Sequence, residues 1–205
     1  KLIESTAKTC TPLSLELGGN APCIIFDDAD FNQAIDGALI TKFRNNGQSC
    51  IGSNRLYVHH SIYDRFVEAF VAHVKKLKVG SGLEAENDIG PLIDKRALTS
   101  ALSFINDAVK GGAKVLAGGE RYGSTGNYLQ PTVLTNVPES ARCYREEIFA
   151  PSAAIYAFDN EEDVIGKAND TEYGLAAYAY TNDLRRAFRV SEALEAGTVG
   201  INDPV

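Results

Sequence analysis

The sequence predicts an α/β domain with a mostly parallel sheet. Short apolar runs of strand length alternate along the 205 residues with longer segments whose apolar residues recur at helical spacing. Alternation of this kind is typical of layered domains in which helices cover a parallel sheet. A content of 44% hydrophobic and 23% charged residues is that of an ordinary globular protein, and no apolar run approaches the ~20 residues of a membrane span.

The first predicted elements lead to a sharp turn. Residues 2–8 read as the end of a helix, residues 13–17 as a short buried strand and residues 23–26 as a second strand. Several aspartates then provide caps for a helix, which Asn-Asn-Gly at 45–47 can end because these residues tolerate left-handed backbone. We therefore expect Cys50 on a turn just beyond that helix.

Strands and helices continue to alternate after this turn. A strongly amphipathic helix is followed by a glycine-rich loop at residues 80–90 and by a helix that Gly111 and Gly112 end. The strands predicted after the turn are at 55–58, 114–116, 129–134, 153–158, 177–180 and 198–201, and the helices, including the two just described, are at 63–77, 94–110, 161–168 and 184–194.

Charge and cysteine content exclude several classes of function. The net charge is −7 and the 20 basic residues are scattered, whereas nucleic acid or an anionic membrane needs a basic patch. The 4 cysteines have neither the density of a disulfide scaffold nor the paired spacing of a zinc site. His59 and His60 would face opposite sides of a strand, which disfavours a shared ion. We therefore expect a cytoplasmic protein with no metal site and no nucleic-acid or membrane partner.

A carboxylate and a thiol stand beside glycine-rich backbone in two short segments, residues 15–20 and 43–50. Glycine leaves the backbone open to a ligand. The thiolate of Cys50 can attack a carbonyl, and the carboxylate of Glu16, which we expect to be buried between two leucines, can activate water. These residues predict an enzyme of covalent acyl chemistry, although Glu16 could instead be a structural ion-pair partner. The other cysteines are expected to be small buried hydrophobes, and these are Cys10, Cys23 and Cys143.

The motifs and their spacing resemble those of the NAD(P)-dependent aldehyde dehydrogenases. Glu-Leu-Gly-Gly is followed by Asn-x-Gly-Gln-x-Cys, so that Cys50 comes 34 positions after Glu16. The resemblance covers essentially the whole chain, and it implies a three-layer catalytic domain at residues 19–205 that follows the end of a Rossmann-like cofactor domain at residues 1–18. The other motifs that carry it are Gly-Pro-Leu at 90–92, Tyr-Leu-Gln-Pro-Thr at 128–132, Glu-Glu-Ile-Phe-Ala-Pro at 146–151 and Tyr-Gly-Leu-Ala-Ala at 173–177.

The resemblance also implies a cofactor, NAD or NADP, and the residues that hold it. Leu17 and Gly18 match cofactor-binding positions, Glu147 matches the position that holds the ribose next to the nicotinamide, and Phe149 matches the one that packs against that ring. A carboxylate suits the ribose because it accepts hydrogen bonds from two hydroxyls. The alternative for Glu147 is an exposed acidic pair with Glu146.

Arg44 is the best clue to the substrate. It lies six residues before Cys50, where a guanidinium can hold a carboxylate at the far end of a short aldehyde. Residues 43–50, together with 18–22 and 168–178, resemble the succinate-semialdehyde dehydrogenase branch of the family. A solvated or helix-capping arginine is the alternative.

Two positions depart from the family pattern. Ala150 stands where the family has glycine, which leaves the tightness of that turn open. Gly52 stands where some members of the branch carry a second cysteine, so we expect no thiol–disulfide switch.

We expect the chain to be a piece of a longer protein, because it opens in mid-helix and has no methionine. The resemblance places the turn for the cofactor phosphates and the oxyanion-hole asparagine upstream, so these residues alone should bind the cofactor poorly. It also implies a homo-oligomer, a dimer or a tetramer. Two other hypotheses stay open: oxidation of another small aldehyde, and a catalytically silent domain.

Overall fold

The computed structural model describes residues 1–204, and in them strands and helices alternate as the sequence predicts. The strands are β1 (Ala21–Ile25), β2 (Ser53–His59), β3 (Lys114–Ala117), β4 (Thr132–Thr135), β5 (Ser152–Phe158), β6 (Ala176–Tyr180) and β7 (Thr198–Ile201). The helices are α1 (Leu2–Thr6), α2 (Phe31–Phe43), α3 (His60–Val74), α4 (Lys95–Lys110), α5 (Arg142–Arg145), α6 (Glu161–Asn169) and α7 (Leu184–Ala193), and a 3-10 turn, Arg44–Gly47, follows α2. The short helix α5 is absent from the sequence-based prediction.

The strands of residues 1–204 form a seven-stranded sheet in the order β3-β4-β5-β2-β1-β6-β7. Neighbouring strands are parallel except for β3 and β4, which are antiparallel. Strands β1 and β6 are buried along their whole length, as expected of central strands that are covered on both faces. The predicted α/β class with a mostly parallel sheet is confirmed.

The core is divided by the sheet, because successive residues of a strand face opposite sides. Cys23 and Ile25 of β1 pack with α2 and α3 on one face, and Ile24 packs with α6 and α7 on the other. Helices α4 and α5 cover the second face farther along, against Leu134 and Ala154. The domain therefore has three layers: two helices, the sheet, and the remaining helices of the second face.

The prediction of a buried strand at residues 13–17 is wrong. These residues have no regular secondary structure, and Leu13, Leu15 and Leu17 are exposed, Leu17 by 69%. Alternating leucines mimic a half-buried strand, but a strand also needs a hydrogen-bonded neighbour. Both sides of β1 are already paired, with β2 and β6, and no described strand pairs with residues 13–17.

The end of helix α2 determines the position of Cys50. Helix α2 begins at a side-chain cap, in which Asp30 Oδ1 accepts from the backbone N–H of Gln33 at 2.9 Å. It ends where Asn45 and Asn46 adopt φ values of 52° and 60°, in the left-handed region that asparagine tolerates. Cys50 follows on the turn before β2, as predicted.

Candidate active site

Cys50 is half-buried on the turn between the 3-10 segment and β2, and its thiol is free. Two other cysteines are chemically quiet, because burial raises the pKa of Cys23 to about 12 and that of Cys143 to about 11. Cys10, which the sequence analysis took for a buried hydrophobe, is instead exposed on the irregular segment that follows α1. It was misjudged because an isolated cysteine carries no local burial signal.

Two glycines join the Cys50 turn to Glu147. The backbone N–H of Gly19 donates to Glu147 Oε1 at 3.0 Å. A Cβ on Gly19 would clash with the carbonyl oxygen of Cys50, and a Cβ on Gly18 would lie 2.5 Å from Glu147 Oε2. Glycine is therefore required at position 19, where the close neighbour is a backbone atom, whereas at position 18 the close neighbour is the end of a flexible side chain. Residues far apart in the sequence meet here in one small region.

Glu147 and Phe149 present a carboxylate and an aromatic ring beside this junction. Glu147 is half-buried, and within residues 1–204 its second oxygen, Oε2, has no hydrogen-bond partner. Phe149 is 45% exposed although Ile148 and Ala150 on either side of it are buried. Ala150 is not among the residues with positive φ, so alanine is compatible with this turn in place of glycine.

Glu16 is exposed, which corrects the expectation that Leu15 and Leu17 bury it. Together with these leucines and Gly18 it lines a cavity of about 470 Å³, whose other wall is formed by residues 172–175. Among the described residues Glu16 makes no hydrogen bond or ion pair. It is thus a carboxylate without a described partner on the wall of a cavity. Cys50 does not itself line that cavity.

Arg44 is an exposed residue at the end of α2, and within the described part of the chain its guanidinium forms no hydrogen bond or ion pair. Tyr178 of β6 is hydrogen-bonded to the Cys50 turn. Its hydroxyl donates to the carbonyl of Ile51 at 2.9 Å. Burial raises the pKa of Tyr178 to about 12, and both Arg44 and Cys50 lie close enough to influence that pKa. Sequence reasoning missed Tyr178, whose only signal is a tyrosine in an alanine-rich strand.

Lys42 is a second residue that sequence reasoning missed. It is on α2 and is completely buried, with 0% of its surface exposed. Its Nζ donates to Asn54 Oδ1 at 2.7 Å and to the carbonyl of Ile148 at 3.3 Å. Burial lowers the pKa of Lys42 to about 7, and the negative charge of Glu147 opposes that shift. A lysine beside apolar helix positions could have been noticed as an exception to the amphipathic pattern.

Two classes of site find no support in residues 1–204. No group of three or more histidine, cysteine, aspartate or glutamate side chains there is arranged to hold a metal ion. No helix in this range combines the length and the apolar character that crossing a membrane requires.

Comparison with known proteins extends the picture drawn from the geometry. The chain is 52% identical over 202 residues to the NADP⁺-dependent succinate-semialdehyde dehydrogenase of Escherichia coli, a match that covers 98% of this chain and 42% of that protein. It is likewise 52% identical over 202 residues to the glutarate-semialdehyde dehydrogenase of Pseudomonas putida, again with 98% of this chain and 42% of that protein covered. A crystal structure of an NADP-dependent enzyme from E. coli superposes with a TM-score of 0.97 at 51% identity, over 100% of this chain and 42% of that one.

The chain thus spans about two fifths of the length of these relatives, 42% in each case. Matches of this kind cover both the fold and the segments that carry the site. The sequence model of the aldehyde dehydrogenase family matches residues 1–205. The chain belongs to the aldehyde dehydrogenase family.

Proposed function

We propose that the full-length protein oxidises a small aldehyde to the acid with NAD⁺ or NADP⁺, through a thioester on Cys50. The observation that carries this proposal is the junction at Gly18 and Gly19. Here the turn that holds the free thiol of Cys50 and the carboxylate of Glu147, whose Oε2 has no partner among the described residues, lie against the same glycine backbone. Covalent oxidation of an aldehyde needs a nucleophile held close to the cofactor that takes the hydride.

The residues present fit a nicotinamide cofactor. Glu147 Oε2 is an acceptor without a partner among the described residues and suits a ribose hydroxyl, while the exposed ring of Phe149 offers a face to the nicotinamide. Leu17 and Gly18 line the neighbouring cavity, and a side chain at Gly18 would fill space beside the Glu147 carboxylate. When bound, the cofactor supplies the hydride acceptor.

The chain's own residues divide the remaining work. The thiolate of Cys50 adds to the aldehyde carbon, forming an S–C bond, and the carbon becomes a thioester once it has lost its hydride. Glu16 takes a proton from the water that attacks this thioester, and the C–S bond then breaks to release the acid and Cys50 as a thiolate. The exposure of Glu16 on a cavity wall gives water access to it.

The substrate class that we infer is a short aldehyde with a carboxylate at its far end. Arg44 supports this inference because its guanidinium has no partner among the described residues and is close enough to Tyr178, as Cys50 is, to influence the pKa of that tyrosine. The relatives named above act on succinate semialdehyde and glutarate semialdehyde, which differ by one methylene. Another small aldehyde is the alternative, and it would leave Arg44 as a solvated side chain.

The substrate inference is tested with Arg44→Ala in the full-length protein, assayed on succinate semialdehyde and on an uncharged aldehyde of similar length. A charge-assisted hydrogen bond contributes about 1.5–3 kcal/mol, so kcat/KM for succinate semialdehyde should fall by roughly ten- to a hundredfold. The rate on the uncharged aldehyde should change little. Equal losses on both substrates would deny Arg44 this role.

The chemical step is tested with Cys50→Ala, which should abolish turnover while NADP⁺ or NAD⁺ still binds. Cys23→Ala is the matched control, because its thiol is buried in the core and has a raised pKa. Full turnover by Cys50→Ala would refute the mechanism.

We also propose the domain division, with residues 1–18 belonging to a cofactor-binding domain and residues 19–205 to the catalytic domain. The lack of any buried residue in α1 and the exposure of residues 7–17 support a segment that packs elsewhere in the full-length protein. Assembly into a homodimer or homotetramer is part of the same proposal, and the mass of the full-length protein in solution measures it.

A further inference from the structure

The complete burial of Lys42 sets it apart from the other lysines of the described chain. It lies on α2, eight residues before Cys50, and none of its surface is exposed. Lysine is rarely buried in this way unless its ammonium is paired or hydrogen-bonded. The hydrogen-bond partners of the Lys42 ammonium therefore indicate its role.

The hydrogen bonds of Lys42 complete a closed ring of bonded residues beside the candidate active site. Lys42 Nζ donates to Asn54 Oδ1 at 2.7 Å, and Asn54 Nδ2 donates to the carbonyl of Gly19 at 3.4 Å. The N–H of Gly19 donates to Glu147 Oε1 at 3.0 Å, and the carbonyl of the next residue, Ile148, accepts from Lys42 Nζ at 3.3 Å. Each member is thus bonded to the next across four separate segments of the chain.

This ring links the Glu-Leu-Gly-Gly segment, which lies against the Cys50 turn, to the segment that carries Glu147 and Phe149. Its members come from α2, from β2, from the Glu-Leu-Gly-Gly segment and from the segment that carries Glu147 and Phe149. Gly19 also lies against the carbonyl of Cys50, so one member of the ring contacts both the Cys50 turn and Glu147. Charge-assisted hydrogen bonds in a dry interior are strong and directional, so a lysine is well suited to this task.

Stability alone does not account for a lysine at this position. Burial disfavours the ammonium, and an apolar side chain of similar volume is often neutral or stabilising in place of a buried charge. A residue that costs stability yet organises a site is the pattern expected of functional selection.

We propose that Lys42 is a positioning residue that holds Glu147 and Phe149 in register with Cys50 and thereby sets the affinity for the nicotinamide cofactor. The inference rests on the proposed function of this site. It goes beyond that function because it assigns cofactor affinity to a side chain that touches neither the substrate nor the cofactor.

The test uses Lys42→Met in the full-length protein, with three measurements: the dissociation constant of NADP⁺ by calorimetry, the alkylation rate of Cys50 by iodoacetamide, and the midpoint of thermal unfolding. We expect the dissociation constant to rise by about tenfold or more, because a displaced Glu147 would lose its charge-assisted hydrogen bond to the ribose of the cofactor. The alkylation rate should stay within about twofold of the wild type, since the backbone of the Cys50 turn is set locally by Asn45, Asn46 and Gly47.

Thr41→Val is the matched control. Thr41 precedes Lys42 on the same helix and is also buried, but its hydroxyl bonds only to the helix carbonyls of Gly37 and Ala38. It should leave cofactor affinity unchanged. The double variant Lys42→Met/Asn54→Leu removes both polar partners together, and it should show the same rise in the dissociation constant as Lys42→Met alone.

The outcomes separate this inference from the proposed function. Wild-type affinity in either Lys42 variant would overturn the positioning role. A parallel loss of cofactor binding, Cys50 alkylation and thermal stability would also overturn it, because that is the result of a purely structural residue. A wild-type protein that binds neither NADP⁺ nor NAD⁺ would refute the proposed function itself.

Discussion

A methyl group added at Gly19 should disturb the turn of Cys50, the proposed nucleophile, whereas a methyl group added at Gly18 should disturb only the carboxylate of Glu147. The Cβ of Gly19→Ala would clash with the carbonyl oxygen of Cys50, which is a backbone atom. The Cβ of Gly18→Ala would lie 2.5 Å from Glu147 Oε2, which is the end of a flexible side chain. Neither glycine has a positive φ, so alanine fits the backbone at both positions and the difference lies in the neighbours alone.

The size of each effect follows from what has to move. An ordinary contact begins near 3.4 Å, so the carboxylate of Glu147 must retreat by about 1 Å in Gly18→Ala, and side-chain rotation can provide this. In Gly19→Ala the Cys50 turn must move instead. Overpacking of this kind costs about 1–3 kcal/mol of unfolding free energy, and a nucleophile misplaced by about 1 Å loses on the order of 100-fold in rate.

The assay compares kcat/KM, the alkylation rate of Cys50 and the NADP⁺ dissociation constant in both variants of the full-length protein, with urea unfolding to measure stability. Gly19→Ala should reduce kcat/KM by on the order of 100-fold and change the alkylation rate. Gly18→Ala should mainly weaken NADP⁺ binding. The control is Gly166→Ala in α6, where a Cβ meets nothing within 4 Å and stability should rise by about 0.5–1 kcal/mol. Wild-type kcat/KM in Gly19→Ala would refute the reasoning.

Three further predictions concern charge and thiol chemistry. Burial lowers the pKa of Lys42 to about 7 in the folded protein against an ordinary 10.5, so between pH 7 and 10.5 the unfolded chain binds more protons. In that range the contribution of Lys42 to the unfolding free energy should rise by up to about 1.4 kcal/mol per pH unit, and urea titrations of Lys42→Met should lack this rise. Asp28 accepts hydrogen bonds from one hydroxyl and two backbone amides and pairs with an arginine at 2.7 Å. Asp28→Ala should lower the free energy of unfolding by about 1–3 kcal/mol, as measured with a denaturant, and Asp27→Ala, at a more exposed residue, should lower it much less. Similar losses in the two variants would contradict this account. Iodoacetamide should alkylate Cys50 in the native protein, but the buried thiols of Cys23 and Cys143 only after unfolding, as mass spectrometry would show. Labelling of Cys23 and Cys143 in the native protein would contradict their burial.

Two failures of sequence-based prediction, the strand at residues 13–17 and the burial of Glu16, share one cause. The turn that carries Cys50 could be foreseen because Asn45, Asn46 and Gly47 encode a left-handed backbone locally. The strand at residues 13–17 could not be judged in the same way, because a strand exists only where a partner is available, and β1 is already paired on both sides. The expected burial of Glu16 failed with that strand.

The amino-acid sequence by itself determined the α/β class, most helix boundaries and the segments that resemble the family, since periodicity, caps and turn residues are local properties. Only the tertiary structure decided which of these segments meet. The contact of Gly18 and Gly19 with both Cys50 and Glu147, and the ring through Lys42 and Asn54, depend on the order of the strands and on the packing of α2. Long-range contacts of this kind arise from the burial of the whole chain, and no local pattern records them.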